Sequence, residues 1–347
     1  MQAVDEKVLA RVTECLSEGE ACWLATVVAT YGSSPRPVGS LLTCDSNGEI
    51  VGSLSGGCVE DDLLEKLTHG QLANERAQFF RYGDDEAEAE KLGLPCGGHL
   101  DIVVEALKAP MLPHFEEITR RVGARHLCQR TVNLRDRSIV TNNVDRFEEL
   151  RYDEDDQTLT QTYGPRYQLF LIGAGMVSQY VAEIAQALDY RVVVCDPRQD
   201  VLDGFPVEDV EKICDMPDDA IRETANDQHT AIIALTHDPR IDDMGLMEAL
   251  KTGAFYVGAM GSSRTSDNRR DRLRALDISE DELNRLHAPV GLPIGSKTPP
   301  EIALAILAEI TAIRKQQETL ESSELIVEGS LELESESLAA SSEVVVG

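Results

Sequence analysis

No Walker A sequence, no HExxH zinc motif and no GxSxG elbow occurs in these 347 residues. Without them, and with no evident nucleophile–base pair, the chain offers binding loops but no recognisable catalytic engine. Its cysteines also lack CxxC spacing. The eight thiols (Cys15, Cys22, Cys44, Cys58, Cys96, Cys128, Cys195, Cys214) are scattered, which fits a reducing cytosol better than a disulfide framework or a zinc knuckle. No apolar run approaches the roughly 20 residues that cross a bilayer. No N-terminal stretch joins positive charge, an apolar core and a cleavage site, so a cytoplasmic protein is expected. Basic charge is scarce as well: 32 Lys and Arg stand against 62 Asp and Glu, for a net charge of -30. That balance argues against unaided binding to nucleic acid or an anionic membrane.

What is present suggests two domains of ordinary size. The predicted fold class is α/β: an N-terminal mixed α+β domain, then a Rossmann-like doubly wound parallel sheet. The first domain is expected over 1–107, with an opening helix (Val8, Val12, Leu16) and strands at Trp23–Thr30, Ser40–Cys44, Ile50–Leu54, Gln78–Tyr82 and Leu100–Glu105. Residues 108–166 read as a connecting segment with one helix and three short strands, and carry no chemical signal. From 167 to 315, strands Gln168–Ile172, Arg191–Cys195, Ala231–Thr236 and Phe255–Ala259 alternate with helices, the pattern of a parallel sheet covered on both faces. Residues 316–347 read as a disordered acidic tail, because 318–347 hold eight glutamates and no basic residue.

The stretch GSLSGGCVEDDLL, residues 52–64, sets a thiol after two glycines at what reads as a helix start near Val59. Gly56 and Gly57 free the backbone for positive φ and close approach. Helix-start N–H groups favour the Cys58 thiolate, whereas Glu60, Asp61 and Asp62 oppose it. The residues alone allow either a functional thiol or a small packed side chain beside a capped surface helix. Cys96, Gly97, Gly98 and His99 repeat the theme. Two such thiols in one pocket could ligate a soft metal, hold a sulfur species or form a labile disulfide. Arg36, between two prolines, offers either a fixed guanidinium for a phosphate or a surface ion pair.

In the second domain Gly173-Ala174-Gly175 lies at a strand-to-helix turn, with Ser178 at the third position of the dinucleotide pattern. Gly173 permits the turn, Gly175 lets the backbone approach a pyrophosphate, and Ser178 is expected to loosen the packing slightly. Asp196 ends the second strand, where an acid accepts hydrogen bonds from a ribose. Arg198 is suited to a phosphate or to pairing with Asp196. His237 follows the next strand and suits a ligand or a helix cap, a task Asp238 serves equally. Gly261 and Ser262 open a third loop of this kind. Three loops at one sheet edge point to a ligand crevice.

Gly32–Gly39, Gly52–Glu60 and Gly93–Gly98 resemble the N-terminal domain of the xanthine dehydrogenase accessory family of XdhC/CoxI type. The resemblance runs on through Ile172–Gly175, Cys195–Arg198, Leu235–Pro239, Tyr256–Ser262, His287–Leu292 and Ile294–Ala303. It implies a dimeric chaperone that binds the molybdenum cofactor, as molybdopterin or its dinucleotide form, protects it during sulfuration and inserts it into a molybdenum hydroxylase. The implied partners are the apo-hydroxylase, a cysteine desulfurase and a cofactor nucleotidyltransferase. It favours function for Cys58 and Cys96, as contacts to the cofactor molybdenum. The dinucleotide's pyrophosphate and ribose would engage Gly173, Gly175 and Asp196. An NAD(P)-dependent oxidoreductase built on the second domain is the rival reading.

Overall fold

The computed structural model describes residues 2–31, 36–83, 92 and 98–317, and the chain divides into two units, Met1–Pro165 and Arg166–Gly347. In the first unit, strands β1 (Cys22–Thr30), β2 (Leu41–Asp45), β3 (Ile50–Gly52), β4 (Gln78–Tyr82) and β5 (Leu100–Leu107) form an antiparallel sheet of order β3-β2-β1-β5-β4. Side chains along β1 alternate between its faces. Leu24 joins a core with Val8, Val12 and Leu16 of helix Ala3–Ser17, while Ala25 and Val27 join another with Val59, Leu63 and Leu67 of helix Cys58–Thr68. The thiol helix is therefore anchored on one sheet face by its apolar stripe.

The stretch expected to connect the domains instead folds into the first unit. Helix Leu112–Gly123 sends Phe115, Ile118 and Val122 into the core shared with the N-terminal helix. Strands β6 (Cys128–Asn133), β7 (Ile139–Asn143), β8 (Arg151–Asp153) and β9 (Thr158–Tyr163) form a second antiparallel sheet, order β7-β6-β9-β8. The acidic cluster after Tyr152 makes the β8–β9 turn. Val132 and Leu159 pack against Val28 and Val103 of the first sheet. A buried Arg130–Glu105 pair, with two bonds of 2.8 and 2.7 Å, joins the sheets.

The second unit is a six-stranded parallel sheet. Its strands are β10 (Gln168–Ile172), β11 (Arg191–Cys195), β12 (Glu211–Ile213), β13 (Thr230–Ala234), β14 (Tyr256–Ala259) and β15 (Leu286–His287). They lie in the order β12-β11-β10-β13-β14-β15, the doubly wound arrangement of Rossmann folds. Leu169 and Leu171 face a core with helix Met176–Ala187 and the last helix, 299–317; Phe170 and Ile172 face helices Pro217–Thr224 and Pro239–Ala249. The order in which successive strands are added reverses between β10 and β13, which opens a crevice at their carboxyl ends.

Candidate functional site

The thiol loop leaves β3 at Gly52, whose φ of 103° and close approach to the Leu41 carbonyl exclude a side chain. Gly56 also has positive φ, 78°, and Gly57 caps the helix that Cys58 begins. Gly56, Gly57 and Cys58 are exposed, and Cys58 is a free thiol. Glu60 organises this turn. Its Oε1 accepts from the Leu54, Ser55 and Gly56 N–H groups at 2.8, 2.9 and 3.0 Å and from the Ser53 hydroxyl at 2.9 Å. Its Oε2 accepts from the Ser55 hydroxyl at 2.8 Å and the Gly57 N–H at 3.1 Å. Burial alone would raise this carboxyl's pKa, but the donors of Ser55, Gly56 and Leu54 outweigh it and hold it at about 2.

Arg36 is turned inward. It donates to Gln2 Oε1 at 2.6 Å, to Asp5 Oδ1 at 3.5 Å and to the Ser53 carbonyl at 3.3 Å, so it braces the thiol loop against the N-terminal helix. Gly98 is buried, and His99 stacks on Tyr31 with ring centres 3.8 Å apart. Cys96 and Gly97 lie outside the described residues, as does the acidic tail from 318 on. Among the described residues no group of three His, Cys, Asp or Glu side chains is placed to hold a metal ion.

In the second unit a cleft of about 320 Å³ opens at the switch point, lined by Gly173, Ala174, Gly175, Arg198, Leu235, Thr236, His237 and Asp238. Gly173 has φ 99°, and a Cβ there would come within 2.5 Å of Thr236 Cγ2. A Cβ on Gly175 meets nothing within 4 Å, so only a ligand would feel it. Ser178 does not loosen the turn: it is fully buried and its hydroxyl donates to the Gly173 carbonyl at 2.5 Å.

Asp196 lies beneath this turn with no accessible surface. Its Oδ1 accepts from the Arg198 N–H and Nε at 3.0 and 2.8 Å, and its Oδ2 from the Ala174 N–H and Arg198 Nη2 at 3.1 and 2.7 Å. Burial works to raise its pKa, and Arg198 with the Ala174 N–H lowers it further than burial raises it. The acid thus holds the turn and the arginine, whose side chain remains 54% exposed over the cleft. His237 is exposed at the rim, while Asp238 caps helix Pro239–Ala249 and clasps Arg240.

Gly261 and Ser262 follow β14, one strand beyond β13, and neither lines the cleft. Ser262 caps helix Ser263–Arg274 by accepting from the Thr265 N–H at 3.2 Å. A buried network ties this loop to the cleft: the Thr236 hydroxyl donates to Asp242 at 2.7 Å, Arg269 Nη2 to Asp242 at 2.8 Å and Arg269 Nη1 to the Met260 carbonyl at 3.0 Å. Sequence reasoning placed Gly173, Gly175, Arg198 and His237 at one edge but missed the Thr236–Asp242–Arg269 support and the part played by Glu60. The signal for Glu60 was its position three residues after Gly57, the spacing of a capping box.

These features define a two-unit chain with an exposed glycine-flanked thiol in one unit and a Rossmann cleft in the other. The model for the XdhC and CoxI family matches residues 15–83, and that for the XdhC Rossmann domain matches residues 169–310. The chain belongs to the XdhC/CoxI family. It is 28% identical over 321 residues to the molybdenum cofactor insertion chaperone PaoD of Escherichia coli (strain K12), covering 90% of this chain and 89% of that one. A probable xanthine dehydrogenase subunit of Bacillus subtilis (strain 168) is 26% identical, with 87% and 96% covered. A crystal structure described as a xanthine dehydrogenase from Bacillus halodurans shares the fold, with a TM-score of 0.69 at 23% identity over 91% of this chain and 96% of that one.

Proposed function

We propose that this protein is a molybdenum cofactor chaperone: it binds the cofactor, protects it while sulfur replaces an oxo ligand, and passes it to a molybdenum hydroxylase of the xanthine dehydrogenase or aldehyde oxidase type. The observation that carries this reading is the exposed Cys58 thiol on a loop preformed by Glu60, in a chain related along most of its length to a cofactor insertion chaperone. The bound group supplies a dithiolene-held molybdenum whose oxo ligand can be exchanged for sulfur. Cys58, with Cys96, offers soft thiolate contacts to that centre. Gly56 and Gly57 set backbone rather than side chains before Cys58, and Gly97 and Gly98 follow Cys96 in the sequence. In the second unit Gly173 and Gly175 admit a phosphate group to the start of helix Met176–Ala187, and Arg198 and His237 face it from the rim. Asp196 acts through Arg198. Gly261 and Ser262 stand one loop further out as secondary contacts, and Arg36 acts on the thiol loop through Ser53.

The apo-hydroxylase, a cysteine desulfurase and a cofactor nucleotidyltransferase are the proposed partners of a cytoplasmic homodimer. An NAD(P)-dependent oxidoreductase is favoured by the strand order and the glycine turn. Both Asp196 oxygens are already occupied, which counts against a ribose contact from either dinucleotide alike; the relation to a cofactor insertion chaperone is what favours the chaperone reading. Mass spectrometry of small molecules released from the purified protein tests the choice. Molybdopterin or its dinucleotide is expected, and a nicotinamide dinucleotide in its place would overturn the reading. Replacing Cys58 by Ala is expected to leave melting unchanged and to lower cofactor retained through gel filtration.

A further inference from the structure

Four consecutive backbone N–H groups, those of Leu54, Ser55, Gly56 and Gly57, converge on one carboxylate. Such a concave run of donors is an anion-binding nest, the kind of backbone that elsewhere holds phosphates. Here the anion is the chain's own. It comes from Glu60, in the first turn of the helix that Cys58 opens, and two serine hydroxyls complete its shell.

From this geometry we infer that Glu60 is the positioning residue of the thiol site. It is the internal anion around which residues 53–57 fold, and it fixes Cys58 as the exposed first residue of the helix. The filled nest is closed to the phosphate of a ligand. The glycine turn of the first unit therefore presents a thiol and does not bind phosphate, and the anionic end of the cargo must be met elsewhere. This rests on the reading of Cys58 as a cofactor contact, and the test separates the two.

The full chain carrying Glu60→Ala is treated with iodoacetamide, and modification of Cys58 is followed by peptide mass relative to Cys214, an exposed thiol of the second unit that serves as internal standard. The Cys58-to-Cys214 rate ratio is expected to move by at least about threefold, the weight of one net hydrogen bond. Sodium formate, a carboxylate small enough to enter the vacated nest, should return it to the wild-type value, whereas sodium chloride at equal ionic strength should not. Cofactor retention should fall and recover in parallel. Glu60→Gln decides the matter if the alanine variant does not fold. It keeps an oxygen for the four donors on Oε1 and sets an amide against the Oε2 pair, so an intermediate ratio is expected. An unchanged ratio in the folded alanine variant, or in the glutamine variant where that one decides, overturns the positioning role, as does a shift that formate leaves in place. Full cofactor retention in Cys58→Ala overturns the cofactor reading instead and leaves the alkylation result standing.

Discussion

Gly173 and Gly175 stand two residues apart and do different work, which a substitution at each would separate. Positive φ and the Thr236 methyl leave no room at Gly173, so Gly173→Ala should cost about 1–3 kcal/mol of stability, seen as a lower melting temperature without ligand. At Gly175 the backbone is extended, φ -89° and ψ -178°, and the space is open. Gly175→Val should melt like wild type and lose ligand binding; a lowered melting point there would show that the glycine is structural. Glu60 adds a pH effect. Its pKa in the fold is about 2 against an ordinary value of 4.5, so its contribution is complete above pH 4.5 and is lost as pH falls towards about 2. Chemical denaturation should show wild type losing more stability than Glu60→Gln across that window. The glycines, Arg198 and His237 were legible in the sequence because each follows a strand end. For Asp196 the pairing with Arg198 was one of two open readings. The fate of Glu60 was not legible, since whether a carboxylate faces a ligand or its own loop depends on which N–H groups the fold turns towards it.

At the level of elements, long strands with buried faces declared themselves by composition, as in Gln168–Ile172 and Arg191–Cys195, which the structure reproduces to the residue. Strands β8, β12 and β15 did not, because two or three residues carry no period. The connecting stretch misled differently: its helix and three of its four strands were read, but nothing local in them says that Phe115, Val132 and Leu159 pack onto the elements of the first sheet. The loops after β13 and β14 depend on an equally hidden support, the Arg269 guanidinium buried against Asp242. Removing one partner of such a pair leaves an unmatched buried charge. Arg269→Leu should therefore destabilise the second unit by about 3–5 kcal/mol, and Arg269→Lys, which keeps charge but not the fork, by less. Equal unfolding curves for wild type and Arg269→Leu would mean that the pair does not hold these loops.

Across the whole molecule, each hydrophobic cluster among the described residues draws on one unit alone: two lie within 167–313 and three within 8–163. A unit with its own core has what it needs to fold by itself. The boundary after Pro165 falls beyond the second sheet of the first unit, so that unit takes in the helix and strands that follow residue 107. Residues 166–317 expressed alone should unfold cooperatively, with a stability of about 5–15 kcal/mol. A fragment of 1–107, by contrast, lacks helix Leu112–Gly123 and the partner of Glu105, and should be unfolded or aggregate; extending it to 165 restores Arg130 and the Phe115 core. The proposed division of labour adds a functional arm. The fragment 166–317 should bind a dinucleotide or phosphate-bearing form of the cofactor through its cleft, and Gly175→Val should abolish that binding. The fragment 1–165 should keep the wild-type alkylation rate of Cys58, because Glu60 and all its donors lie inside it. Calorimetric titration and peptide mass measure the two arms separately. If 166–317 folds but binds neither form of the cofactor, while the full chain does, the cleft is not sufficient for the phosphate end and the ligand assignment to the second unit fails.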